Sequence, residues 1–218
     1  MKEGNDKLVM GGYKVTEKEL MLSEQLYIAK DEELAKDNLK ARRLTRLINN
    51  STEEEFDLRF ELFKQLFGSI KGNFWIEPPF RIDYGCNTYI GENFYANYDC
   101  IFIDVANIYI GDNVFFGPRV CLYTAGHPID AQIRNKQLEY GKKIVIGNSV
   151  WIGGNSIINP GVTIGDNVVI GSGSVVTKDI PSNVIACGNP CKVIREINED
   201  DKKYWEQQAQ KYDENKRS

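Results

Sequence analysis

The sequence predicts an all-β fold: a parallel β-helix of hexapeptide rungs, with a helical region before it and one helix after it. Three observations carry this. Ile146, Ile152, Ile158, Ile164, Ile170 and Val176 recur six apart without a slip. Gly follows Ile146, Ile152, Ile164 and Ile170, and turns of the form "IGDN", "IGEN" and "IGNS" recur along the chain. Up to Gly72 the chain carries helix signals instead. A period of six suits neither an amphipathic helix nor an alternating strand. It suits a chain that makes a short strand, turns and repeats. The apolar residue then points inward, and glycine supplies the turn, where left-handed backbone is tolerated. Three such units close a triangular coil.

The elements follow in chain order. Residues 1–12 read as a mobile tail. Residues 13–72 form the helical region. "TEKELMLSEQLY" pairs Thr16 with Glu19 at capping-box spacing. "DEELAKDNLKARRLTRLINN" sets Leu34, Leu44, Leu47 and Ile48 among charges, as an amphipathic helix does. "STEEEFDLRFELFKQLFGSI" repeats the cap signal at Thr52 and Glu55. It then lines Phe56, Phe60, Phe63 and Phe67 on one packing stripe. Residues 73–197 form the β-helix. Tyr84, Ile90, Ala96 and Phe102 make a first set; the phase shifts by two before Ile110, Phe116 and Leu122. Residues 198–218 are polar and helical, with Asn198 and Asp201 near the start. Both helical regions suit the ends of a solenoid, which are otherwise exposed.

Composition narrows the function classes. The net charge of −4 gives no basic field for nucleic acid. No apolar run approaches the ~18 residues of a membrane span, and the N-terminus lacks the apolar core of a secretory signal. Five scattered cysteines, an odd number, suit reduced thiols in a cytoplasm. Cys187 and Cys191 have no histidine near them, so no metal site is expected.

The array breaks between Leu122 and Ile146. "YTAGHPIDAQIRNKQLEYGKK" cannot make rungs and must loop out over residues 123–145; long loops in compact domains are usually functional. The chain's single histidine, His127, stands at the root of that loop. Pro128 fixes its own φ and biases His127 toward extended backbone.

"NFYANYDCIFID", "TAGHPID", "VWIGGNSIINPGVTIGDNVVIGSGSVVTKDIP" and "GNPCKVIREI" together resemble the sugar O-acetyltransferases of the left-handed β-helix superfamily, in particular its maltose, galactoside and nodulation branches. The resemblance spans nearly all of residues 15–197. It implies a homotrimer of left-handed coils, acetyl-CoA as donor, a sugar hydroxyl as acceptor, and active sites between subunits under the looped-out segment. It implies no metal.

The resemblance also assigns residues. His127 is the general base of a direct transfer; imidazole as a side chain titrates near neutrality, which suits removal of a hydroxyl proton. Asn97 matches the active-site asparagine, whose amide orients groups without titrating. Tyr95, Asp83 and Asp104 match acceptor-contacting positions. Gly154 and Ser172 match backbone contacts to pantetheine, and Thr177 and Lys178 follow in "VVTKD". Lys192, at a position that is often Arg, and Arg195 offer cations to the nucleotide phosphates. Trp151 lines the slot or caps a rung. One departure concerns the acceptor. Relatives carry an acid just after the aromatic of the "LY" element; here "LYIAKDEEL" has none before Asp31. Either Asp31 substitutes after a register shift, or the acceptor differs from maltose.

Two other readings use the same coil: a xenobiotic acetyltransferase acting on streptogramin-type antibiotics, and a non-catalytic scaffold. The N-terminal helical region favours the sugar branch, and the intact His127, Asn97 and "TKD" elements speak against decay. The zinc carbonic anhydrases of this fold need several histidines, and this chain has one.

Overall fold

The computed structural model describes residues 9–10 and 13–217. Of the expected tail, residues 1–8 and 11–12 lie outside that range; Val9–Met10 pairs antiparallel with Tyr13–Lys14. Helix α1 (Glu17–Leu22) opens with the expected capping box: Thr16 accepts from the Glu19 amide, and Glu19 accepts from the Thr16 amide. Helix α2 (Glu32–Asn49) buries Leu34, Ala41, Leu44 and Ile48, whereas Leu47 faces out. Helix α3 (Phe56–Leu66) starts later than its cap signal suggests. Glu55 holds the N-cap position, and Thr52 and Glu55 bond to each other ahead of the helix. The aromatic stripe of α3 buries Phe63 and Phe67 only. Phe60 stacks on Phe74 at 4.4 Å between ring centroids, and Phe56 lies exposed beside Trp75.

The β-helix begins at Ser69–Ile70, slightly before the expected boundary. Three parallel sheets form the sides of its triangular section. The first stacks Ser69–Ile70, Thr88–Ile90, Ile108–Ile110, Ile144–Ile146 and Thr163–Ile164. The second runs from Phe74–Ile76 through Phe94–Ala96, Phe115–Phe116, Trp151–Ile152 and Val169–Ile170 to Val184–Cys187, and Lys192–Glu196 closes it antiparallel. The third stacks Arg81–Ile82, Ile101–Ile103, Cys121–Tyr123, Ile157–Ile158 and Val175–Val176. The fold is the expected left-handed parallel β-helix. All six array residues from Ile146 to Val176 are buried in one continuous core.

The strand registers explain the phase changes. Ile146 pairs with Ile164, so late coils take 18 residues; Ile90 pairs with Ile110, so early coils take 20. The two extra residues are the shift seen before Ile110. They also correct one assignment: Ile82, not Tyr84, is the rung residue paired with Phe102. Tyr84 is buried instead with Met21, Tyr27, Leu34 and Val105 under the N-terminal region. Ile110 pairs with Ile146, 36 residues on, so the looped-out segment replaces one coil's length of chain and the phase survives it.

The corner between the first and second sheets corrects the role given to glycine. The left-handed residue is the third of each turn: Asn93, Asn113, Ser149 and Asn167, at φ 55°, 57°, 56° and 53°. Asn tolerates that region better than most residues. The glycine is needed for space. A Cβ on Gly111 would lie 2.6 Å from Asn148 Oδ1 and 2.7 Å from Gly147 O of the next coil. The middle residue ties coil to coil: Asp112, Asn148 and Asp166 each accept from the backbone amide one coil below, at 2.8, 2.9 and 2.6 Å.

Helix α5 (Glu199–Arg217) follows the terminal strand. Arg195 grips Asp201 through two bonds of 2.6 and 2.7 Å, fixing strand to helix. Among the described residues no helix is long and apolar enough to cross a membrane.

Candidate active site

The chain leaves the coil at the corner between the third and first sheets. Thr124 anchors the exit: it is fully buried, donates to Ile103 O and accepts from the Ala106 amide. Ala125–Gly126 then pairs antiparallel with Leu138–Gly141 as a hairpin, with helix α4 (Ala131–Arg134) at its tip, capped by Asp130. Gly126 is required because the Tyr140 ring lies across it; a Cβ there would sit 2.5 Å from the ring. The far strand of the hairpin also pairs with Tyr27–Ile28, placing Glu139 beside Tyr27. The N-terminal region thus supplies the third strand of the hairpin's own sheet.

His127 is exposed, directly after the paired segment. The antiparallel register ends at Gly126 and Tyr140, and His127 and Glu139 are the next residues beyond it on the two strands. Glu139 Oε2 accepts from the Tyr27 hydroxyl at 3.1 Å. Burial, and then the negative charge of Glu139, push the Tyr27 hydroxyl well above its usual range, so it remains a donor. Asp83 faces the same space, half-buried. Burial raises its pKa and Glu139 adds to the rise, while Arg42 opposes it. Tyr27, Asn38, Arg42, Asp83, Tyr84 and Glu139 line a cavity of about 350 Å³ here. Two carboxylates, a guanidinium, an amide and two phenols in one cavity can hold a polyhydroxylated ligand from several sides.

Two of the expected acids do not belong to this cavity. Asp104 is a correction. It is fully buried one coil above Asp83, where Oδ1 accepts from the Tyr84 amide at 2.8 Å and Oδ2 from the Thr88 hydroxyl at 3.0 Å. No acceptor reaches it. Asp31 is also a correction. Its Oδ1 accepts from the Glu33 and Leu34 amides as the N-cap of α2. Glu139, which has no sequence signal of its own, is the carboxylate nearest the aromatic of the "LY" element.

The remaining expected residues lie elsewhere on the triangle. Asn97, Gly154 and Ser172 share the corner between the second and third sheets. Asn97 Oδ1 accepts from the Tyr98 amide, leaving its NH₂ free to donate. Glycine packing keeps this corner bare of side chains: a Cβ on Gly117 would meet Gly154 N at 2.5 Å, and one on Gly153 would meet Ser172 N at 2.6 Å. Tyr95 and Trp151 stand on the outer face of the second sheet, two coils apart in one row with Phe115 between them. Thr177 and Lys178 are exposed on the His127 corner, above the loop. Lys192 is exposed on the terminal strand, and Arg195 beside it is engaged by Asp201. One chain therefore unites Asp83, Glu139 and Tyr27 in one cavity, sets His127 at the root of the adjoining hairpin, and sets Asn97 and the bare backbone track on a different corner. Among the described residues no three His, Cys, Asp or Glu side chains gather as a metal site would need.

Comparisons with known proteins bear on this arrangement. Residues 20–72 match the maltose acetyltransferase hexapeptide capping motif, and residues 143–178 match the bacterial transferase hexapeptide (six repeats). A galactoside O-acetyltransferase of Escherichia coli (strain K12) is 46% identical over 174 residues, covering 80% of this chain and 86% of that protein. The crystal structure of a maltose O-acetyltransferase from Clostridium difficile 630 superposes with a TM-score of 0.84 at 58% identity, over 84% of this chain and 98% of that one. A galactoside acetyltransferase in complex with coenzyme A superposes with a TM-score of 0.84 at 45% identity, over 87% and 94%.

Proposed function

Because the chain belongs to the maltose and galactoside O-acetyltransferase family of hexapeptide-repeat enzymes, we propose that it moves the acetyl group of acetyl-CoA to a sugar hydroxyl, with His127 as the general base. The observation that carries this reading is the single imidazole at the root of a hairpin whose returning strand carries Glu139 into an acid-lined cavity. The sugar hydroxyl gives its proton to the ring of His127 as its oxygen attacks the thioester carbonyl. The tetrahedral intermediate collapses with loss of coenzyme A as thiolate, which takes the proton back from the imidazolium. The acetyl ester stays on the sugar. Asp83 and Glu139 accept from neighbouring hydroxyls and Tyr27 orients Glu139, the role that the "LY" element's missing acid plays in relatives.

The donor half of the site is the bare corner. Pantetheine lies along the backbone at Gly154 and Ser172, the Asn97 NH₂ donates to the thioester oxygen, and Trp151 and Tyr95 flank the slot. Lys178 and Lys192 face the phosphates, with Thr177 beside them. Arg195 takes a smaller share, because Asp201 already occupies its fork. The two halves lie on different corners of one chain, so the proposal includes a homotrimer in which the His127 corner of one copy meets the Asn97 corner of the next. The test is release of free thiol from acetyl-CoA with a panel of sugars. His127→Ala should lower turnover about 10²–10⁴-fold while leaving acetyl-CoA affinity unchanged. A variant working within a few-fold of the wild type would end the general-base assignment.

A further inference from the structure

Next to the acid-lined cavity is a second one of opposite character. It measures about 560 Å³ and lies between α2 and the outer face of the third sheet. Arg42, Arg46, Arg81, Asp83, Ile101 and Ile103 line it. Arg42 and Asp83 also line the first cavity, so the two adjoin. Arg42 and Arg46 are one helical turn apart on α2 and converge on the same space. Arg81 comes from the first coil, in register with Ile101. All three arginines are exposed.

The charges do not balance. Among the described residues none of the three arginines forms an ion pair; Arg42 feels Asp83 only at longer range. Like charges four apart on a helix destabilise it, and the convergence of a third adds to that cost. Such an arrangement calls for an anion. Guanidinium is suited to carboxylate and phosphate because its planar fork donates two parallel bonds. The volume falls within the range of ligand pockets, and the Ile101–Ile103 floor offers an apolar surface to a ring face.

We infer that the arginine cavity is the second subsite of the acceptor, and that the acceptor is an anionic carbohydrate: a sugar whose carboxylate or phosphate substituent enters the arginine cavity while its hydroxyls stay in the first. This rests on the sugar-acceptor reading above. The carboxylates Asp83 and Glu139 take the hydroxyls of the reacting unit, and Arg42, Arg46 and Arg81 take the charged substituent. A neutral disaccharide satisfies the first cavity and leaves the second without a counter-charge.

The test uses the full chain with acetyl-CoA and four acceptors: maltose, methyl galactoside, glucuronic acid and glucose 6-phosphate. Thiol release gives kcat/KM for each, and light scattering gives the oligomeric state. The inference expects an anionic acceptor to exceed both neutral ones by about tenfold or more, the usual yield of a bond to a charged group. The carboxylate and phosphate arms identify the anion. Arg46→Gln and Arg81→Gln should each erase most of that preference through KM, leave kcat on maltose unchanged, and keep the wild-type oligomeric state. Two results overturn the inference: neutral sugars used as well as or better than anionic ones, or variants that alter assembly without altering preference, which would assign the arginines to carboxylates of a second copy. Turnover of none of the sugars would overturn the sugar-acceptor reading itself, and is thereby distinguished from a failure of this inference alone.

Discussion

Asp104 is the buried acid that the proposed reaction does not use, and Asp104→Asn isolates what its charge does to the fold. The carboxyl has no solvent contact. Burial is the dominant influence and pushes its pKa up to about 7; the bonds from the Tyr84 amide and the Thr88 hydroxyl act the other way without cancelling it. An unfolded-chain aspartate titrates near ~3.9. Between about pH 4 and 7 the native state therefore holds a proton that the unfolded chain has released. Stability must fall as pH rises through that interval, and the loss is complete above about 7. A difference of roughly three pKa units corresponds to about 4 kcal/mol. An asparagine cannot ionise, but its Oδ1 still accepts from Tyr84 and its NH₂ can donate to the Thr88 oxygen. Urea unfolding followed by far-UV circular dichroism at pH 4.5, 6 and 8 reads the difference between variant and wild type. That difference should move in favour of the Asp104→Asn variant by about 3–4 kcal/mol from pH 4.5 to 8. A difference constant with pH would mean that Asp104 does not titrate in this window, and the burial argument would be wrong.

Two further outcomes follow from the coil and the donor face. Gly111→Ala should destabilise the protein by about 1–3 kcal/mol, because the new Cβ meets the Gly147 backbone of the next coil at 2.7 Å, which cannot swing away even if the Asn148 side chain does; a wild-type melting temperature would contradict the packing account. Lys178→Gln should raise KM for acetyl-CoA with little change in KM for the sugar, and the effect should shrink at high salt because exposed charges are screened over roughly 8 Å at physiological strength; steady-state kinetics at two ionic strengths will show it, and unchanged donor kinetics would remove Lys178 from the phosphates.

The rung positions are legible in the sequence because their inward residues are fixed by a period that no helix or flat strand shares. From Ile146 to Val176 every one is buried as expected. Tyr84 misleads because it stands six before Ile90, whereas the true rung residue, Ile82, stands eight before it; coil length cannot be read until strands are paired. The turn chemistry is half legible. "IGDN" announces a corner, but the left-handed residue is its Asn, and the Gly answers to the coil above. Asp104 in "FID" looks like any acid at a coil edge. Its burial depends on Tyr84 and Thr88 folding over it from the coil below. Glu139 carries no signal for a similar reason: a single glutamate in a charged loop gains meaning only when the hairpin lays it against Tyr27, 112 residues earlier.

The exit and return of the looped-out segment have a consequence for how this architecture can diversify. The chain leaves after Tyr123 and re-enters at Ile144 by the same corner, and the strands on either side stack as though nothing intervened. The length of the excursion is therefore free of the period of six. Residues can be added to or removed from the hairpin tip around α4 without shifting any inward position. The rungs act as a fixed loom, and the hairpin as a panel that can be rewoven separately. Only its third strand, Tyr27–Ile28, is tied to it by pairing, so the two segments are best exchanged together.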